Sequence, residues 1–220
     1  MTHTHDTDTD ADVDADTDPQ EYWEAFYQER DSVWSGKANP LLVREVAGLT
    51  PGSVLDLGCG EGGDAIWLAR QGWHVTAVDV SATALTRAAT HAAEAGVEIT
   101  FAEHDLSKSF PAGRFDLVTA QFFHSPVAPA EERGNTLRRA LDAVAPGGRL
   151  LIGGHAGWPT WVEEPPFDHR FPTNDEVLES LRLGAGWQVE TADQIEVEHI
   201  GPEGQAGVRA DNVLRIRRLT

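Results

Sequence analysis

The stretch VLDLGCGEGG, Val54 to Gly63, sets three glycines in the spacing Gly58-x-Gly60-x-x-Gly63. An acid, Asp56, stands two residues before the first of them. The spacing suits a turn whose backbone approaches a pyrophosphate at a helix N-terminus. The acid opposes that ligand. Like charges a few ångströms apart repel by about 4 kcal/mol at an effective dielectric constant of about 20. Asp56 instead favours a ligand that is cationic near the turn.

Other residues extend the site. Asp79 ends the strand pattern HVTAVD and is placed to accept from both hydroxyls of a ribose. Alone it does not separate a dinucleotide from other nucleosides, and an acid there also suits a helix cap. Asp105, in AEHDL, follows the next strand pattern, where a side chain meets an adenine amino group or merely closes a turn. S-adenosylmethionine fits this set: it carries an ammonium, a sulfonium and a ribose, and no phosphate. His124 in QFFHSP and His155 in IGGH follow two further strand patterns. Each imidazole is a candidate general base or substrate orienter, and each also has a purely structural reading. The spacing of His124, His155 and His169 does not signal a metal site, and none is expected.

Elements must position these groups. Asp18-Pro19-Gln20-Glu21 reads as a helix start, with a helix to about Arg30 and a second over Leu41 to Gly48. Short apolar runs at Ser53–Leu57, His74–Asp79, Val97–Glu103, Phe115–Gln121 and Arg149–Gly153 read as strands. Helices are expected over Gly63–Gln71, from Ser81 to Ala95, and over Glu131–Val144. Unbroken apolar strands alternating with helices predict a parallel sheet covered on both faces. A further helix spans Asn174–Leu183, capped by Thr173. Two strand patterns follow, Gln188–Glu198 and Val208–Arg217, separated by the turn-rich HIGPEGQAG. The fold class is therefore α/β: a Rossmann-like, doubly wound, seven-stranded, mostly parallel sheet with a C-terminal antiparallel hairpin.

The expected organisation is a disordered acidic tail over 1–18 and one domain over 19–220. That domain divides into an N-terminal helical cap at 19–50, a cofactor-binding core at 51–155, and a substrate-side loop and hairpin at 156–220. The tail reads MTHTHDTDTDADVDADTD and lacks apolar area to offset ordering entropy. The loop HAGWPTWVEEPPFDHRFP is long for a compact domain. Its Trp158 and Trp161, with Trp34, Phe122 and Phe123, are candidates to wall a substrate pocket or pack the core.

Composition narrows the partners. The 220 residues carry 36 acids and 17 bases, a formal net charge of −19. The tail holds seven of those acids and no base, so the remainder is still acidic. Such a chain is repelled by nucleic acid and anionic membranes, and a small-molecule substrate is expected. One cysteine, Cys59, permits neither an internal disulfide nor a thiolate cluster. With no visible signal peptide or membrane-length apolar run, a cytoplasmic location is expected. The oligomeric state is not legible.

The ordered motifs VLDLGCGEGG, VTAVDVS at 75–81, HDL at 104–106, RFDLVTA at 114–120 and APGGRLLI at 145–152 resemble those of class I S-adenosylmethionine-dependent methyltransferases. WSGKAN at 34–39, after an aromatic helix, resembles the small bacterial tellurite-resistance and thiopurine-type enzymes. The resemblance implies that Asp56, Gly58, Cys59 and Gly60 line the methionyl end of the cofactor, and that Asp79 with Val80 holds the ribose. It implies that Asp105 with Leu106 meets the adenine, that Gln121 lies beneath the sulfonium, and that Trp34 belongs to the cofactor site. The implied activity is methyl transfer to a small oxygen, nitrogen, sulfur or chalcogen nucleophile. The alternatives are a nicotinamide-dependent oxidoreductase and a catalytically silent cofactor-binding protein. Against the first stand Asp56 and the absence of a Tyr-x-x-x-Lys pair.

Overall fold

A computed structural model describes residues 17–129, 131–164, 170–201 and 204–220. Of the expected tail, only Thr17 and Asp18 fall among them. Asp18 caps α1 (Pro19–Gln28), its carboxylate accepting from the Gln20 amide at 2.8 Å. Pro19 sits in the first turn, where its missing N–H costs nothing. There follow α2 (Pro40–Val46), β1 (Ser53–Leu57), α3 (Gly63–Arg70), β2 (His74–Asp79) and α4 (Ala82–Ala95). Next come β3 (Thr100–Glu103), β4 (Phe115–Gln121), α5 (Glu132–Asp142) and β5 (Val144–His155). The chain closes with α6 (Asn174–Leu181), β6 (Trp187–Ile200) and β7 (Ala206–Arg218).

Several boundaries differ from expectation. β3 begins at Thr100 rather than Val97, because its ladder to β2 starts at Thr76↔Thr100. α5 stops at Asp142, and Val144 opens β5 by pairing with Phe115. β5 then bulges through Pro146–Gly148, with Gly147 at φ +81°, before the ladder resumes at Leu117↔Arg149. The strand also runs two residues past Gly153, so His155 is its last residue rather than a loop residue.

The sheet order is β3-β2-β1-β4-β5-β7-β6. The five strands β1 to β5 pair in parallel, and β7 is antiparallel to both β5 and β6. Winding runs outward in opposite directions from β1 and β4. Right-handed crossovers therefore place α3 and α5 on opposite faces and open a crevice at the carboxyl ends of β1 and β4. Buried residues of α2 and α3 pack one face with Val54, Leu117, Leu151 and Val213. Those of α5 and α6 pack the other with Leu55, Val118, Leu150 and Leu214. Each such aliphatic side chain contributes about 1.5–3 kcal/mol by leaving water.

Alternation and register then decide where the polar residues go. Asp56 pairs with Thr119, Gln121 with Gly153, and His155 with Asp211. These five side chains take the face of Val54, Leu117, Leu151 and Val213, two or more residues toward the crevice.

Candidate active site

A cavity of about 850 Å³ opens at the carboxyl ends of the parallel strands. It is lined by all the residues named above as cofactor-site or catalytic candidates: Trp34, Asp56, Gly58, Cys59, Gly60, Asp79, Val80, Asp105, Leu106, Gln121, His124 and His155. Phe122 and Phe123 line it too. Trp158 and Trp161 do not appear in its wall. Trp158 stands edge-on to Phe171 at 5.5 Å, and Trp161 packs against Gly201 and Gly207 of the hairpin. Their place is structural: they tie the loop after β5 to neighbouring chain.

The glycine turn is tightly covered. Gly58 has φ +68°, and a Cβ there would lie 2.8 Å from the Phe123 ring. Gly60 has φ +52°, and a Cβ would lie 2.9 Å from the Tyr27 hydroxyl and 3.0 Å from Trp34 Nε1. Both positions thus need glycine for backbone conformation and for space. Tyr27 is buried and accepts a hydrogen bond from Trp34 Nε1 at 2.9 Å.

Three carboxylates hold the helical cap on this turn. Glu61 accepts from the Val33 and Trp34 amides at 3.1 and 2.9 Å and pairs with Arg87 at 2.9 Å. Arg87 also donates to the carbonyls of Tyr27 and Arg30. Asp64 accepts from the Asn39 amide at 2.6 Å and from Asn39 Nδ2 at 2.7 Å. Glu24 accepts from Ser81 Oγ at 2.6 Å and from Thr83 Oγ1 at 2.5 Å, at the start of α4. Burial raises the Glu24 pKa, but the Ser81 and Thr83 donors outweigh it and hold the group at about 2.

At the floor, Asp56 is 2% exposed, and its Oδ2 is buried without a hydrogen-bond partner. Gln121 Oε1 is likewise buried and unpartnered, while Nε2 donates to Thr119 Oγ1 at 2.9 Å. Burial, then the Asp64 and Asp79 charges, push Asp56 well above the usual carboxylate range. Asp79 is also raised by burial, although its oxygens accept from the Gly60 amide at 2.8 Å and the Ser81 amide at 3.1 Å. Its carboxylate therefore anchors the turn to β2. Burial, Asp79 and Asp56 raise the Cys59 thiol as well, so it stays protonated and unreactive. Asp105 closes its own turn, accepting from the Ser107 amide and pairing with Lys108 at 2.8 Å. Burial acts upward on Asp105, and the Lys108 and Ser107 donors hold it low.

The far end of the cavity has different chemistry. His155 Nδ1 lies 3.1 Å from Asp211 Oδ1. Asp211 is 2% exposed and receives a two-pronged pair from Arg209, at 2.8 and 2.9 Å. Burial raises Asp211, but His155 and Arg209 outweigh it, and the group stays ionised. His124 Nδ1 lies 2.7 Å from the Phe122 carbonyl, and the two imidazole rings are 6.0 Å apart. Carbonyl and carboxylate only accept, so Nδ1 of each ring carries a proton. Phe122, two residues before His124, has φ +51°, a strained state for a bulky residue. Its ring packs 4.5 Å from His155 and 5.4 Å from the Arg209 guanidinium.

Sequence reasoning named neither Asp211, Arg209, Arg133, Glu61 nor Asp64. Glu61 carried a signal, since it lies inside the glycine motif. Asp211 and Arg133 carried none. Among the described residues no group of His, Cys, Asp and Glu has metal-site geometry, and no helix is long and apolar enough to cross a membrane. His169 lies outside the described residues.

Residues 54–148 match the family described as methyltransferase domain. A 2-heptyl-1-hydroxyquinolin-4(1H)-one methyltransferase of Mycobacteroides abscessus is 34% identical over 140 residues, 60% of each chain. A protein solved in work on disulfide-to-thioacetal conversion during echinomycin biosynthesis superposes with TM-score 0.71 at 25% identity, over 91% of this chain and 92% of that one. TehB from Haemophilus influenzae shares the fold, with TM-score 0.62 at 19% identity over 90% of this chain and 67% of that one. Other curated relatives are named for ribosomal RNA and ribosomal protein L11 methylation. The chain spans 28%, 39% and 60% of the lengths of three such relatives. The fold and the glycine turn agree with the methyltransferase-domain match over residues 54–148. The site fits S-adenosylmethionine as a cofactor. The two orphaned acceptors, Asp56 Oδ2 and Gln121 Oε1, call for a donor-rich cation rather than a phosphate.

Proposed function

We propose that this protein transfers a methyl group from S-adenosylmethionine to a small-molecule nucleophile. The observation that carries the reading is the pair of buried, unpartnered acceptors at one end of a cavity whose other end presents an aspartate-held imidazole. When bound, the cofactor supplies an electrophilic methyl group, taken by in-line displacement with S-adenosylhomocysteine as product. Asp56 and Gln121 accept from the ammonium end, and Asp79 accepts from the ribose hydroxyls. Leu106 and Asp105 border the adenine. Phe122 and Phe123 exclude water from the reacting centre, and alignment with desolvation supplies much of the rate. His155 takes the acceptor's proton at Nε2, and Asp211 steadies the imidazolium that results.

A small acceptor suits a cavity of this size and an acidic chain better than a polynucleotide does. Calorimetric titration with S-adenosylhomocysteine and with NAD tests the cofactor. S-adenosylhomocysteine binds in the micromolar range and NAD does not; the opposite result replaces this reading with an oxidoreductase. A screen of thiols, phenols, amines and chalcogen oxyanions, read by S-adenosylhomocysteine release, tests the transfer. No turnover across the panel favours a silent cofactor-binding protein.

A further inference from the structure

Arg133, in the first turn of α5, is a cation without a carboxylate in a strongly acidic chain. Its Nε donates to the Phe123 carbonyl at 2.8 Å, and no ion pair is formed by its guanidinium among the described residues. Arg138 and Arg139 on the same helix donate to the Ser180 and Leu106 carbonyls, and neither arginine lines the cavity. Arg133 lines the cavity itself, and its Nη2 lies 3.8 Å from where a Cβ on Gly154 would be. It therefore reaches the end of β5 one residue before His155. Burial lowers its pKa, yet a guanidinium remains charged at any physiological pH.

A desolvated charge without a counter-ion is costly, and its usual remedy is a ligand of opposite sign. With Nε committed to Phe123, the end-on fork of Nη1 and Nη2 remains. That fork matches the two oxygens of a carboxylate. The cofactor's own carboxylate has other donors nearer the glycine turn. The N-terminus of α3 opens there at Gly63, and Lys37 lines the same stretch of wall. Arg133 stands instead on α5, on the sheet face opposite α3, beside the strand end that carries His155.

We infer that Arg133 receives a carboxylate of the methyl acceptor, so that the substrate class is a small carboxylic acid bearing the nucleophile elsewhere. The inference rests on the methyltransferase reading above and adds the acceptor's charge to it.

The test uses acceptors supplied in pairs, as acid and as primary amide: 3-mercaptopropionate with 3-mercaptopropionamide, and 3,4-dihydroxybenzoate with 3,4-dihydroxybenzamide. Wild-type protein favours the acids by about 10- to 100-fold in kcat/KM, the scale of a hydrogen bond to a charged group. Arg133→Gln keeps a donor for the Phe123 carbonyl and brings the preference close to unity, with S-adenosylhomocysteine affinity changed less than about 2-fold; Arg133→Lys keeps part of it. Equal use of acid and amide by the wild type, or a preference untouched in Arg133→Gln, overturns the inference. So does a loss of S-adenosylhomocysteine affinity in Arg133→Gln with the preference intact, which assigns the arginine to the cofactor. So does a complete lack of turnover with these pairs in protein that binds S-adenosylhomocysteine. Wild-type protein that binds no S-adenosylhomocysteine refutes the methyltransferase reading itself.

Discussion

The two ends of the cavity hold opposite charge. At the glycine turn, Asp56, Asp64 and Asp79 lie buried with no cation in contact among the described residues. At the strand ends of β4 and β5, Arg133 and the Arg209–Asp211–His155 chain present donors and an imidazole. One end is short of positive charge and the other of negative. The net charge of −19 describes neither, because a charge in a desolvated pocket acts over a few ångströms with little screening. The lesson is that a buried charge deficit marks where a ligand's charge must go, and here the two deficits have opposite signs.

The largest expected effect separates the ends by chemistry. Replacing His155 with Ala lowers kcat on a phenol or thiol acceptor by about 10²- to 10⁴-fold. Cofactor affinity stays unchanged, as titration with S-adenosylhomocysteine checks. A matching fall in that affinity would merge the two ends into one. Asp79→Ala acts at the other end and weakens S-adenosylhomocysteine binding by about 1.5–3 kcal/mol. Unaltered binding would put the ribose elsewhere and leave Asp79 as an anchor for the turn.

A pH experiment sharpens the contrast. Burial raises Asp56, so part of its population is protonated above the ordinary carboxylate range. A cationic ligand needs the anion. Cofactor affinity therefore falls as pH drops through that raised pKa, and binding near it releases protons. Calorimetry in buffers of different ionisation enthalpy reads the release, and Asp56→Asn abolishes the part due to Asp56. A pH-independent affinity would mean that the cation does not meet this carboxylate.

The smallest effect concerns the helical cap over the acidic end. Glu24 is held at about 2 against an ordinary 4.5, so its stabilisation is complete above pH 4.5 and is lost as pH falls toward 2. Solvent screening reduces its worth to about 1 kcal/mol. Thermal unfolding of Glu24→Gln should show that loss at pH 7 and little difference from wild type near pH 2.

Much of the fold was legible because its signals are local. The apolar runs of β1, β2 and β4, Pro19 after Asp18, and the Thr173–Glu176 capping box each determine structure within a few residues. The bulged start of β5 was not legible. Val144 continues the apolar face of α5, and only the ladder to Phe115 assigns it to a strand. The same holds within the site. Gly58, Gly60 and Asp79 carry their spacing in the sequence. The left-handed Phe122 carries no mark, since its side chain does not favour that conformation.

The sequence by itself determined the order of strands and helices and the acid before the glycine turn. Tertiary structure alone decided that Asp211, 56 residues from His155, lies opposite it, and that Arg133 meets no acid among the described residues. The physical reason is register. A strand's pattern dictates which face each side chain takes, whereas the residue that stands across from it depends on β7 returning between β5 and β6.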